Sequence, residues 1–346
     1  MKHVLKFFLN SSAKPTNPRR TAPLFALLTC VLLFACTLSL CLGAQPLRIT
    51  DVLRALLTQD AKDTTLRILL HVRIPRMLAA LLAGGALSLA GTLLQSVLHN
   101  PMAGPNVIGV NAGAGFAVML VTSIGMPLSA MTGIAAFIGA FLTALFIYAL
   151  SARVSLSRTT LILSGVAVNS ILNAGINVLT LFFPDGSIGV SGFMIGGFSG
   201  VTLVSLKSAL PYLLIGALIA LALRTELNVL QLGDETAASL GVHLRRTRLL
   251  SIAAAALLAG AAVSFAGLIS FAGLLFPHIA RRIFGHDNRV LMPAATLLGG
   301  TFVLLCDTFA RTAFAPFEVP VGIVMALLGG PFFLYLLLHS ERRDAQ

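Results

Sequence analysis

His278 and Asp307 are the two side chains in this 346-residue sequence that could do acid–base chemistry from inside long apolar stretches. Such chemistry needs a partner within reach, and neither residue belongs to an HExxH, a GxSxG or a carboxylate pair. His278, beside Pro277 and ahead of Arg281 and Arg282, reads more simply as a helix-end histidine near a membrane surface. One isolated Asp307 is thin support for a proton-coupled carrier, which needs several buried carboxylates. There is no GxxxxGK[ST], so the chain does not hydrolyse ATP through a P-loop. Cys30, Cys36, Cys41 and Cys306 form no CxxC and no Cys/His ligand spacing, and read as small packing residues. No catalytic set, metal site or cofactor is therefore expected. The polar residues that recur with a period are Asn169, Asn173 and Asn177, four apart on one helical face. Amides are costly against lipid, so this stripe faces either a watery pathway or a neighbouring helix to which it hydrogen-bonds.

The elements that must position these residues are membrane helices. The chain is 57% hydrophobic and 10% charged, whereas soluble domains carry roughly 25% charged residues. Its net charge of +12 is dispersed between apolar runs and forms no stripe, which fits membrane orientation better than nucleic acid. A basic tail, 1–22, precedes the run Pro23–Ala44, which exceeds the core of a signal peptide and reads as a first span. Gln45–Arg73 is polar and is expected to be an external loop. Met77–Ala152 carries no charge and has room for three spans, 77–98, 107–124 and 127–150, divided at HNPMAGPN (His99–Asn106) and at Gly125–Pro127. After the basic loop Ser151–Arg158 come Thr159–Phe183, a Gly-rich external loop with a short helix in Pro184–Leu206, and a short span Ser208–Leu223. Leu249–Ala280 is too long for one helix and, with Gly267, Gly273 and Pro277 inside, reads as two. Val290–Ala310 and Val319–His339 complete about ten spans, which puts both termini on one side. That side carries most of the bases and is expected to be cytoplasmic, with 23–340 as one transmembrane domain and 341–346 as a short tail. The bases Arg67, Arg73 and Arg76 fall on the other side, against this rule.

Within the span 77–98, Gly84, Ser88 and Thr92 share one face at the spacing that lets helix backbones approach. LLAGGALSLAG (Leu81–Gly91) and LLAGAAVSFAG (Leu257–Gly267) match at most positions. At the same offset Pro101 aligns with Pro277, and Gly109 with Gly285. Two copies in opposite orientations would be an inverted repeat. The polar segment Arg224–Arg248 places Leu232, Ala237, Ala238 and Leu240 as a short amphipathic helix followed by a Gly241 turn. It is either a solvated loop or a dock for a soluble partner.

RIPRMLAALLAGGALSLAGTLLQSVLHNPMAGPNVIGVNAGAG, LGDETAASLGV, ISFAGLLFPHIARRIFGHDNRVLMPAATLLGG, CDTFAR and PVGIVMALLGGPFFLYLL occur in this order. With them the chain, from about residue 24 to 339, resembles the FecCD/BtuC-type permeases of bacterial ABC importers for iron–siderophores, haem and vitamin B12. The resemblance implies an all-α, polytopic type II importer permease in the inner membrane. Its expected partners are a second permease chain, two ATP-binding cassette subunits and an external substrate-binding protein. It implies that Leu232, Gly233, Glu235, Ala237, Leu240, Gly241 and Val242 belong to the segment that docks the ATPases. It also implies that Arg73, Arg76 and Arg311 face outward and pair with glutamates of the binding protein, which would explain the bases that break the charge rule. Asn100 and Met102 correspond to a cytoplasmic gate, and Arg158 and Thr159 to a second. At Arg158 the family commonly has a small hydroxyl residue, and this chain departs from it. The competing reading is an ion-coupled secondary transporter that needs no ATPase.

Overall fold

The computed structural model describes residues 18–43, 47–58, 64–125, 128–154, 158–313 and 317–344, and every regular element among them is helical. Most of the basic tail and the last two residues lie outside this set. In chain order the helices are α1 (Pro18–Cys41), α2 (Ile49–Thr58), α3 (Thr64–Leu98), α4 (Val110–Ser123), α5 (Leu128–Val154), α6 (Arg158–Phe182) and α7 (Pro184–Ile195). They continue as α8 (Leu203–Ala222), α9 (Arg224–Leu230), α10 (Asp234–Ser239), α11 (Leu244–Ala266), α12 (Ala272–Phe284), α13 (Asn288–Thr312) and α14 (Val321–Asp344). Seven of them (α1, α3, α5, α6, α8, α11 and α13) are long and apolar enough to cross a bilayer among the described residues. Val110–Ser123 and Val321–Tyr335 are shorter apolar helices.

The expected spans all coincide with helices, with two differences of extent, at Gln45–Arg73 and at the start of α8. Gln45–Arg73 is not a loop: it holds α2 and the first turns of α3, because Val52 and Ala55 pack on Leu66 and Leu69. Pro184–Leu206 contains the short helix expected there, the 12-residue α7. The next span begins at Leu203, where Thr202 and Ser205 form a reciprocal capping box. The uncharged run from Leu249 breaks at Gly267, whose φ of 69° ends α11.

α3 is the axis of the bundle and packs against α13, α11 and α12. Its small residues permit this. Gly84 lies against the Gly299 carbonyl of α13, and Gly91 against the Gly273 backbone of α12, so close that neither has space for a Cβ. Ser88 donates to the Ala295 carbonyl of α13 at 2.7 Å, while Thr92 turns back on its own helix and donates to the Ser88 carbonyl at 2.9 Å. The Gly84–Ser88 face therefore belongs to packing within one chain. The outer helices show the reverse: Phe34 on α1, Leu142 on α5, Ile171 on α6, Leu218 on α8 and Leu327 on α14 are exposed. Exposed apolar side chains on so many long helices fit a lipid or protein surrounding.

Candidate functional site

The two ends of α3, roughly 33 Å apart from Arg76 to Leu98 at 1.5 Å per residue, carry the two polar groupings of interest. At the first end the helix is locally wound as a π-turn over Leu69–Arg73, with the Ile74 N–H bonded to the Leu69 carbonyl. Pro75 follows, and its missing N–H removes a regular helical bond at this point. Arg73 and Arg76 both turn inward. Arg76 forms a two-pronged pair with Asp307 on α13 (Nε–Oδ2 3.0 Å, Nη2–Oδ1 3.0 Å) and reaches Glu318 through Nη1 at 2.7 Å. Arg311, one turn along from Asp307, lies 4.0 Å from the same carboxylate and donates to the Ser39 hydroxyl at 2.9 Å and to the Ser39 carbonyl. Arg73 donates to the Leu40 and Leu42 carbonyls at 2.6 and 2.9 Å. Those carbonyls are at the open end of α1, where intrahelical donors run out. Asp307 is fully buried, and the three arginines are nearly so; Glu318, at 43% side-chain exposure, is the member that meets solvent. The three arginines thus gather in one internal network that clamps α1, α3, α13 and the segment before α14.

Asp307, read alone from the sequence, is the centre of that network. Its main partner is distant in sequence, and the signal available was its i, i+4 spacing from Arg311. His278 sits within α12 and not at its end, with Nε2 buried and without a hydrogen-bond partner. Among the described residues no group of His, Cys, Asp and Glu is arranged to hold a metal ion.

The second end holds the polar segment. α9 and α10 are joined by a turn through Gly233 (φ 105°), and α10 leads through Gly241 (φ 86°) into α11. Both glycines occupy backbone conformations that other residues rarely adopt. Ala237 is buried, and the Val242 N–H bonds to its carbonyl at 3.0 Å. Asp234 is held by Arg248 at 2.7 Å. Leu232 and Leu240 are left 63% exposed, one on each side of α10, and Glu235 is exposed between them. This is a short platform fixed to the bundle from below, with its apolar residues turned outward.

Asn100 and Met102 lie in the loop that leaves α3. His99 ends the helix in the left-handed region (φ 46°), and Asn100 Oδ1 accepts from the Met102 N–H at 2.9 Å. Thr159 is exposed at the start of α6; the side chain of Arg158 lies outside the described residues. Asn169 donates to the Asn106 carbonyl at 3.0 Å, which ties α6 to the same loop, whereas Asn173 and Asn177 are exposed. Burial, followed by the nearby Arg281 guanidinium, holds the His286 imidazole below its ordinary value.

A family model described as the FecCD transport family matches residues 31–339. The chain belongs to the FecCD transport family. Among its relatives, the Fe(3+)-citrate import system permease protein YfmE of Bacillus subtilis is 35% identical over 335 residues, covering 96% of this chain and 100% of the relative. The cobalamin import system permease protein BtuC of Halobacterium salinarum is 39% identical over 275 residues, covering 79% of this chain and 73% of the relative. A solved structure described as an inward-facing conformation of a putative metal-chelate type ABC transporter superposes with a TM-score of 0.82 at 28% identity, covering 92% of this chain and 99% of that one. The FecCD chain is accordingly a multi-pass membrane protein and a transport permease, not an enzyme in itself.

Proposed function

We propose that this chain is the permease subunit of an ABC importer that carries an iron–siderophore, or a haem- or cobalamin-like complex, across the inner membrane. The observation that carries the proposal is the platform Leu232–Val242: two exposed leucines on a glycine-hinged segment, anchored by Asp234 and Arg248, in a chain of the FecCD family. Leu232, Gly233, Glu235, Ala237, Leu240, Gly241 and Val242 are the surface offered to an ATPase subunit. Two such subunits, two permease chains and one substrate-binding protein make the working assembly. ATP hydrolysis belongs to the partner subunits.

In this reading the chain crosses the membrane about ten times, with both termini cytoplasmic. Support comes from the seven long apolar helices, the shorter apolar α4 and α14, the helix α12, and the distribution of bases. The inverted repeat is supported by packing: α3 rests on α13 while its sequence copy α11 rests on α5, and α4–α5 pairing is echoed by α12–α13. The binding protein docks at the arginine end. There Arg73, Arg76 and Arg311 act mainly from within, fixing the helix ends that shape the face. Asn100 and Met102, with Arg158 and Thr159, form the cytoplasmic gate, and Asn169, Asn173 and Asn177 line the route. Asn173 and Asn177 are exposed in a single chain, which leaves them on a surface that a route between two permease chains would use.

The test is reconstitution in liposomes with a candidate ATPase and binding protein, and with labelled ferric siderophore, haem and cobalamin as cargo. Uptake that requires ATP and both partners supports the reading. Uptake by the chain alone, driven by an ion gradient, overturns it in favour of a secondary carrier.

A further inference from the structure

Hydrogen bonds join α9, which leads into the platform, to the end of α3, which leads into the loop Asn100–Met102. Leu230 is the last residue of α9, two residues before Leu232, where the platform begins. Its carbonyl lies 2.5 Å from Nε2 of His99, the residue immediately before Asn100. A carbonyl has no proton to give, so Nε2 is the donor and the ring carries its proton there. His99 Nδ1 is buried without a partner. The backbone of His99 is also held at φ 46°, a region that costs a residue with a side chain roughly 1–2 kcal/mol and persists where the surroundings impose it.

A second set of bonds runs in parallel. On α9, Asn228 donates to Asp287 at 2.6 Å and accepts from the Asn288 N–H at 2.8 Å, and Gln231 donates to the His286 carbonyl at 3.2 Å. Asn288 in turn accepts from Ser96, in the last turn of α3, at 3.3 Å. The end of α3 therefore touches α9 directly through His99 and indirectly through the α12–α13 corner.

We propose that His99 and Asn228 are positioning residues of the transport cycle, which make the gate loop Asn100–Met102 follow α9 when the platform moves. The proposal rests on the permease reading above and adds the route by which platform movement reaches the gate. Hydrogen bonds suit this role because they are directional: they transmit displacement, whereas an apolar contact would let α9 slide past the end of α3. Buried polar groups left unpaired are costly, so the two elements shift together more readily than they separate.

The experiment uses the full chain assembled with its ATPase subunits in liposomes and carrying Met102→Cys. The readout is the rate at which a water-soluble maleimide labels residue 102, with and without ATP, against the same chain lacking that cysteine. ATP is expected to change the rate several-fold. His99→Asn keeps a residue that tolerates left-handed backbone but ends short of Leu230. Asn228→Asp sets a carboxylate against Asp287. Each is expected to bring the ATP-dependent change to within about twofold of none, while ATP hydrolysis continues. His99→Gln, which restores a donor at the reach of Nε2, and the swap Asn228→Asp with Asp287→Asn, which restores the pair and leaves a capping residue on α13, are expected to recover it. A full response in both single variants overturns the proposal, as does a loss that neither restoring variant repairs. A parent chain that does not assemble with ATPases at all fails earlier and overturns the permease reading itself.

Discussion

Asp307→Leu tests whether the arginine network is structural. The side chain is fully buried and receives three bonds from Arg76, at 3.0–3.2 Å, with Arg311 4.0 Å away. Removing one partner of such a pair costs ~3–5 kcal/mol because it strands a buried charge. At ~1.4 kcal/mol per factor of ten this is a loss of roughly 100- to 4,000-fold in the folded-to-unfolded ratio. The companion variant Arg76→Met with Asp307→Leu separates charge from packing. The native cluster holds three guanidinium groups and two carboxylates, a formal +1; the double variant holds two and one, again +1. Glu318 loses its partner but is 43% exposed and can be hydrated. Since apolar replacement of a buried ion pair is often neutral, the double variant is expected to regain most of what the single one loses. The chain has no tryptophan, but Cys306 is buried beside Asp307, so with the more accessible Cys30, Cys36 and Cys41 changed to Ser a thiol-reactive fluorophore reads the melting of this region in detergent. A single variant that melts with the wild type, or a double variant no better than the single, refutes the reasoning. One corollary is that Arg76→Glu, with three carboxylates then meeting, disturbs the fold before it disturbs docking.

Leu232→Ser with Leu240→Ser removes two exposed leucines whose burial under a partner is worth ~1.5–3 kcal/mol each. ATPase association is expected to weaken by about 100-fold or more in a pull-down or titration, with melting of the isolated chain unchanged; equal affinity would remove the platform from the interface. Asn173→Leu with Asn177→Leu is expected to leave assembly and basal ATP hydrolysis intact while lowering cargo uptake several-fold in reconstituted liposomes, and undiminished uptake would take α6 off the route.

Spans were legible wherever length and absence of charge coincided, as in α1, α5, α6 and the pair α11–α12. Legibility failed where charge masked a helical face. Val52, Ala55, Leu66 and Leu69 form one small core, but Asp51, Arg54, Asp60, Asp63 and Arg67 between them make the stretch read as a loop. Lys207 similarly hid the first turn of α8, which begins at Leu203. The site was legible as residue types and not as pairings. The composition of an arginine says that it needs a partner, but Asp307, Glu318 and the carbonyls at the end of α1 are far from Arg73 and Arg76 in sequence, so the expected partners lay outside the chain and the internal ones went unread. His99 carried no signal: its role depends on a carbonyl, which every residue has.

α3 can pass motion between the two ends only if its middle does not yield, and its packing meets that condition. A Cβ built on Gly299 would lie 2.6 Å from the Gly84 carbonyl and from Ser88 Cβ, and one of those neighbours is backbone, which has no rotamer to change. Gly299→Ala is therefore expected to destabilise by ~1–3 kcal/mol through overpacking, seen as an earlier melt, and adding Ser88→Gly should relieve it only in part because the Gly84 carbonyl stays. Full relief would mean that the helices can separate and that α3 is not rigidly seated. If the middle is fixed, movement must be taken up where the helix is already irregular: the π-turn Leu69–Arg73 beside Pro75 at one end, and left-handed His99 at the other. Those irregularities adjoin the arginine network and the loop that carries Asn100 and Met102, which puts the give of α3 at its two ends.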